Sequence, residues 1–316
     1  MDKETKKITV IIPVFNEEEN LNQLYSSLQR VLDNISIDYE ILFIDDGSID
    51  QSYQIMRQIF NKNKNIKIIK FRGNFGKSAA IDAGITNANG DIIITIDADL
   101  QDEPENIPNL LEALNEFDMV CGFRFKRQDS FTKKIASKIY NWLARRILKI
   151  KIHDLNCGLR AFKKEVVKDI EVLGEMHRYI PAIAAWKGFR VGEVKIKHNP
   201  RKFGKSKYGF TRLFKGLIDM ITVKFLISYS ARPAHIFGLF GLALFASGFI
   251  SGLYLVAIKF LYHVSISNRP LLLLAVLLLI LGVQMVSFGM IAEMTSRVHY
   301  SIQKSKPYTI KEIIEH

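Results

Sequence analysis

The sequence predicts an α/β domain with a mostly parallel sheet, followed by interfacial amphipathic helices and a hairpin of two transmembrane helices. Three observations carry that prediction. Short β-branched runs alternate with segments of helical period, and turn or acidic residues follow the runs. Charge is scattered up to about Arg232, after which two long apolar blocks take over.

The first run, "KITVIIPVF", reads as a strand ending near Pro13. "NEEENLNQLYSSLQRVL" follows, with Leu21, Leu24, Leu28 and Val31 at helical spacing. Asn16 is expected to cap that helix, and Glu17, Glu18 and Glu19 suit its positive end. "YEILFID" is the second strand, and a helix is expected from about Ile49 to Phe60, with Ser48 and Gln51 at capping-box spacing. "IKIIKF" is the third strand, a helix covers Lys77 to Thr86, and "DIIITID" and "DMVCGFR" are the fourth and fifth strands. This domain is expected over residues 1–207, the interfacial region over 208–232 and the hairpin over 233–316.

The blocks Ala234–Ile258 and Pro270–Ala292 each exceed the roughly 20 residues a helix needs to cross a bilayer. A short loop from Lys259 to Arg269 joins them, so both chain ends are expected on one side. Many basic residues precede the first block, and Arg297, Lys304, Lys306 and Lys311 follow the second, which points to the cytoplasm. "MDKETKKITV" has no apolar stretch behind its lysines, so no signal peptide is expected. Cys121 and Cys157 fit a reducing compartment without a disulfide.

The chain carries 44 Lys+Arg against 32 Asp+Glu, a formal net charge of +12. Yet acids gather where the strands end, and in parallel sheets ligands bind there. The first strand leads to Pro13, Phe15 and Glu17, the second to Asp45 and Asp46, the fourth to Asp97, Asp99 and Gln101. In extended backbone, Asp97, Asp99 and Gln101 would share a face and offer hard oxygen ligands for Mg²⁺ or Mn²⁺. The alternative is that they merely cap a helix beginning near Pro104.

"RGNFGKSAA" imitates the end of a phosphate-binding loop, but Phe71 stands where the first glycine is required, which excludes an ATPase. Lys77 is left to meet a phosphate, a carboxylate or water. "HDLNCGLRAF" puts Asp154, Asn156, Gly158 and Arg160 in a polar turn expected before another helix. "NPRKFGKSKYGF" collects Arg201, Lys202, Lys205, Ser206 and Lys207, a composition that clamps phosphates or attracts anionic headgroups. "FTKKIASKIYNWLARRILKIKI" and "TRLFKGLIDMITVKFLISYS" are basic and amphipathic, and beside two apolar spans they point to lipid, not nucleic acid.

These stretches resemble glycosyltransferase family 2 enzymes with a GT-A (Rossmann-like) fold, and among them the polyprenyl-phosphate glycosyltransferases, the group of the dolichol-phosphate mannose synthases. "IIPVFNEEENL", "IDDGSID", "RGNFGKSAAIDAG", "DADLQDEPE", "GFRFKRQD", "DLNCGLRAF" and "RKFGKSKYG" carry the likeness, which runs from about Ile8 to Tyr300. The resemblance implies that Pro13, Phe15, Glu17, Asp46, Lys77 and Asp97 bind the nucleotide and that Asp97, Asp99 and Gln101 hold Mg²⁺ or Mn²⁺. It further implies that Arg124, Arg201, Lys202, Ser206 and Lys207 handle phosphate, and that Asp154, Arg124 and Arg160 belong to the catalytic set. The Q-x-x-R-W signature of processive synthases is missing, since "YIPAIAA" precedes Trp186.

The expected reaction is inverting transfer of one hexose or N-acetylhexosamine from a UDP- or GDP-sugar to a polyprenyl phosphate at the membrane. A phosphate acceptor is already largely ionised near neutral pH, so Asp154 is expected to orient groups rather than act as a base. A neutral lipid acceptor (diacylglycerol or ceramide) and a non-catalytic membrane scaffold are the alternatives. A homo-oligomer is the expected assembly, and Gly238, Gly241 and Gly248 would permit close helix packing.

Overall fold

A computed structural model describes residues 7–35, 37–125, 131–168, 170, 176–199, 218–225, 233–263, 265 and 270–303. The chain divides into two compact units, residues 1–223 and 224–316.

The first unit is built on a seven-stranded sheet ordered β3-β2-β1-β4-β6-β5-β7. Its strands are β1 (Ile8–Val14), β2 (Tyr39–Asp45), β3 (Ile66–Lys70), β4 (Ile92–Thr95), β5 (Met119–Arg124), β6 (Arg160–Lys163) and β7 (Val191–Ile196). All neighbouring pairs are parallel except those of β6, which runs antiparallel to both β4 and β5. The chain steps outward from β1 to β2 and β3, then returns to the other side of β1 for β4. That reversal opens the crevice where such sheets bind ligands, between the ends of β1 and β4.

Alternation along the strands supplies two apolar faces. Val10, Ile12, Ile41 and Phe43 pack with Leu21, Leu24 and Leu28 of α1 (Leu21–Ile35), Met56 of α2 (Ser52–Lys62) and Leu110 of α4 (Ile107–Ala113). On the other face, Ile11, Leu42 and Ile93 pack with Ile81 of α3 (Lys77–Thr86), Val166 of α6 (Lys164–Val167) and Ile180 of α7 (Ile180–Trp186). The helix α5 covers Phe131–Leu148, and residues 218–225 are helical, α8.

Four local expectations are corrected. Asn16 does not cap α1, which begins at Leu21; it sits at φ 54° and binds the loop after β2. The helix α2 begins at Ser52 without a side-chain cap, because Ser48 accepts the backbone N–H of Asn16 instead. Residues after Thr95 do not stay extended: the chain turns, with Leu100 at φ 58°, so the period-two argument for Asp97, Asp99 and Gln101 does not hold. "HDLNCGLRAF" leads into strand β6 rather than a helix.

The second unit contains α9 (Pro233–Tyr262) and α10 (Pro270–Gln303), each with a segment long and apolar enough to cross a membrane. They pack as an antiparallel pair through small residues. A Cβ on Gly241 would lie 2.7 Å from the carbonyl oxygen of Gly282, and one on Gly248 2.8 Å from that of Ala275. Those two glycines therefore serve the chain's own hairpin, whereas Gly238 has nothing within 4 Å. Ser247, Ser251, Ser287 and Thr295 return their hydroxyls to carbonyls four residues back, which satisfies them in apolar surroundings. Glu293 accepts the N–H of Ala234 in the first turn of α9, where a carboxylate suits the helix dipole.

Candidate active site

The loops after β1 and β2 are laced into one rim. Asn16 donates its N–H to Ser48 Oγ at 3.1 Å and accepts the N–H of Ile49 at 2.9 Å. Glu17 donates its N–H to Ser52 Oγ at 2.9 Å, and its carboxylate accepts the side-chain amide of Asn20. Pro13 lies within central strand β1, where a proline normally removes a ladder bond. The pairing with β4 has already ended at Ile11, so no partner is lost on that side.

Asp46, buried just past β2, accepts the N–H groups of Phe75 at 2.7 Å and Gly76 at 3.0 Å. Burial raises its pKa against the lowering effect of those two donors. Gly47 makes the close approach possible: it sits at φ 75°, and a Cβ there would come within 2.5 Å of the Gly73 carbonyl carbon. The loop before α3 is thereby drawn onto the second strand, and it delivers Lys77.

Lys77 Nζ stands 2.5 Å from Asp97 Oδ1. Burial pushes the Asp97 carboxyl up, but Lys77 first, then Arg160 and Arg124, outweigh it and hold the group below its usual value. Gly158 passes so close that an added Cβ would lie 2.4 Å from Asp97 Cγ. Thr95 Oγ1 donates to the Gly158 carbonyl at 2.8 Å and fixes that approach. Asp99 is buried and accepts the N–H of Gln101 at 3.2 Å. Gln101 in turn accepts the N–H of Asn199 at 2.8 Å.

Arg124, at the end of β5, makes a two-pronged pair with Asp154, at 2.6 Å through Nε and 2.9 Å through Nη2. The two side chains are only 10% and 3% exposed. Burial opposes the charge on Arg124, but Asp154 outweighs it and raises the guanidinium pKa. Arg160 is placed differently. Its guanidinium donates to the carbonyls of Cys157 at 2.9 Å, Leu155 at 2.7 Å and His177 at 2.5 Å, so it braces the 154–160 loop from beneath. Arg201, Lys202, Ser206 and Lys207 lie outside the described residues.

Among the described residues no trio of His, Cys, Asp or Glu is arranged to hold a metal. The set Asp97, Asp99 and Gln101 offers two carboxylates and an amide oxygen, which fits a hard divalent cation completed by water and diphosphate oxygens. Asp97 already holds a cation, the Lys77 ammonium, and Gly158 leaves the space its carboxylate fills. By donor chemistry this set suits Mg²⁺ or Mn²⁺.

Sequence reasoning missed two buried pairs. Ser78 bonds to His177, and Asp102 pairs with His198 at 3.2 Å, both contacts buried and remote in sequence. A lone histidine carries no periodic signal, so only the fold reveals these partners.

The family model for glycosyl transferase family 2 matches residues 9–171. The chain is 36% identical over 315 residues to dodecaprenyl-phosphate galacturonate synthase of Rhizobium johnstonii, covering 98% of this chain and 93% of that one. It is 32% identical over 312 residues to undecaprenyl-phosphate 4-deoxy-4-formamido-L-arabinose transferase of Klebsiella pneumoniae, covering 98% and 94%. Among solved structures it is similar to glucosyl-3-phosphoglycerate synthase from Mycobacterium tuberculosis, determined with Mn²⁺ and UDP-glucose. The TM-score there is 0.56 at 18% identity, over 73% of this chain and 83% of that one. The acid-rimmed crevice thus sits in a GT-A-like fold, and the chain belongs to glycosyl transferase family 2.

Proposed function

We propose that this glycosyltransferase moves a single sugar, with inversion, from a UDP- or GDP-sugar to a polyprenyl phosphate. The observation that carries the reading is similarity along almost the whole chain, C-terminal helices included, to the two enzymes above. Their names share a polyprenyl phosphate and differ in the sugar. The acceptor class therefore follows from the comparison, and the sugar is left to experiment.

In this reading Pro13, Phe15, Glu17 and Asp46 line the nucleotide pocket, and Asp97, Asp99 and Gln101 would hold Mg²⁺ or Mn²⁺. That ion would supply Lewis-acid stabilisation of the departing nucleoside diphosphate. Lys77, already on Asp97, adds positive charge at the same place. Arg124 is held by Asp154 in one orientation, and a fixed guanidinium suits an incoming phosphate. The acceptor phosphate is largely ionised near pH 7, its second pKa being about 6 as for phosphoresidues, so attack needs no strong base. The pairing of Asp154 with Arg124 supports an orienting role for that carboxylate.

The reading also takes α9 and α10 as membrane anchors, residues 208–232 as an interfacial region and both termini as cytoplasmic. The segment containing Arg201, Lys202, Ser206 and Lys207 would add charge for the lipid phosphate, and a homo-oligomer is the proposed assembly.

The test uses full-length protein with Mn²⁺, radiolabelled UDP- and GDP-sugars and, in parallel reactions, undecaprenyl phosphate, diacylglycerol or ceramide. Acid-labile label in the organic phase, absent with Asp99→Ala, is the expected result and identifies the sugar. Label only with diacylglycerol or ceramide would overturn the acceptor, and neither label nor nucleotide binding would leave a scaffold.

A further inference from the structure

One buried polar turn has no part in the proposed reaction, yet touches each side of the site. Residues Met176–Arg178 form a short 3₁₀ turn before α7, with His177 only 6% exposed. Its Nδ1 lies 2.7 Å from Ser78 Oγ, and its backbone N–H donates to the same oxygen at 3.3 Å. Ser78 Oγ carries one proton and two lone pairs, so it can accept that N–H and still pair with Nδ1 in either tautomer of the imidazole. Ser78 is buried in the first turn of α3, immediately after Lys77.

The turn is also tied to the 154–160 loop. Arg160 Nη1 donates to the His177 carbonyl at 2.5 Å, while Nε and Nη2 hold the carbonyls of Cys157 and Leu155. Flanking those carbonyls along the chain are Asp154, paired with Arg124, and Gly158, pressed against Asp97. A ring closes: Lys77 to Asp97, Asp97 against Gly158, Arg160 to His177, His177 to Ser78, and Ser78 back to Lys77. Two residues beyond His177, the Tyr179 hydroxyl bonds that of Tyr140 on α5, which ties the same turn to the basic helix.

We infer that His177 is a positioning residue: by joining Ser78 to the loop braced by Arg160, it sets where Lys77 stands relative to Asp97 and the donor diphosphate. A hydrophobic residue of similar size would fill the core but leave Ser78 and the start of α3 without this tether. The inference rests on the proposed nucleotide-sugar reading, because it assigns Lys77 to the donor phosphates.

The experiment measures binding of UDP or GDP, whichever the wild type binds, to full-length protein with Mn²⁺, alongside transfer and Tm. His177→Ala is expected to weaken nucleotide binding about tenfold, whereas His177→Asn, whose side-chain oxygen can accept from Ser78, stays within about threefold. In a Lys77→Met background the His177→Ala change should cost nothing further, because two residues acting through one contact are not additive. Ser78→Ala should reproduce His177→Ala. Additive losses, or equal effects of Ala and Asn at 177, would overturn the inference. So would a loss of binding that only follows a fall in Tm. If the wild type binds nucleotide but labels no polyprenyl phosphate, the proposed acceptor fails while this binding cycle still stands or falls by itself.

Discussion

The two ends of the sheet carry the same residue type in different company. At the amino ends of the strands, Glu40 accepts Thr9 Oγ1 at 2.6 Å and the N–H of Asn89 at 2.7 Å, and Asp91 accepts the N–H of Lys7. Asp118 there binds Lys163 and Arg190. At the carboxyl ends, Asp97 binds Lys77, Asp154 binds Arg124, and Asp46 holds two N–H groups of the loop before α3. Pairing alone therefore marks neither end as functional. What separates them in the proposed reading is the crevice opened by the strand reversal at β1 and β4, where Lys77 and Arg124 would meet the donor diphosphate.

The sharpest test of that contrast is Asp99→Ala. If the carboxyl end holds the ion, transfer should fall about a thousandfold or more with Tm little changed, the scale of losing one well-placed electrostatic stabiliser. Transfer within tenfold of wild type would break the contrast. Gly158→Ala probes the same end without removing a charge. The new methyl would need the space of the Asp97 carboxylate, 2.4 Å away, so transfer should drop about a hundredfold through misplacement alone. Mn²⁺ affinity, followed by electron paramagnetic resonance, should weaken with it.

At the opposite end, Asp118→Asn should leave transfer within about twofold of wild type and lower Tm by a few degrees. Burial pushes the Asp118 carboxyl up, but Arg190 and Lys163 outweigh it and depress the pKa below the ordinary 3.8. A depressed carboxylate contributes stability that is present above its unfolded pKa and is lost as pH falls through the folded value. The Tm gap between wild type and Asp118→Asn should thus be constant from about pH 7 to pH 5 and shrink below about pH 4. A gap that persists unchanged in acid would remove Asp118 as its source.

How much of this was legible in the sequence depends on how local each feature is. The strands β1 to β5 and the helix Lys77–Thr86 announce themselves because apolar runs and helical periods are local, and parallel strands gather their ends at one rim. The strand β6 is only "RAFK", too short for a period and charged at both ends, and its neighbours lie far along the chain. Asn16 misleads because its partners, Ser48 and Ile49, are more than thirty residues away. For the site, the acids were visible but their company was not. Nothing in the spacing links Lys77 to Asp97, turns the chain at Leu100, or commits Arg160 to three carbonyls. The Ser78–His177 contact spans 99 residues.

The smallest expected effect sets the two ends against each other most directly. Asp46 has a pKa raised by burial, the reverse of Asp118, so its contribution to stability is present below the unfolded pKa and is lost as pH rises through the folded one. Burial makes the charged carboxylate costly there, and the N–H groups of Phe75 and Gly76 only partly offset that cost. Asp46→Asn removes the charge but keeps the acceptor, because Oδ1 alone lies 2.7 Å from the N–H nitrogen of Phe75 and 3.2 Å from that of Gly76. The same chemical change that lowers Tm at Asp118 should leave it level or raise it by about a degree at Asp46. Nucleotide affinity should fall nonetheless, because the proposed reading places the Asp46 carboxylate in the nucleotide pocket. A fall in Tm as large as that of Asp118→Asn, with nucleotide affinity intact, would make Asp46 a structural acid and confine the functional carboxylates to the loop after β4.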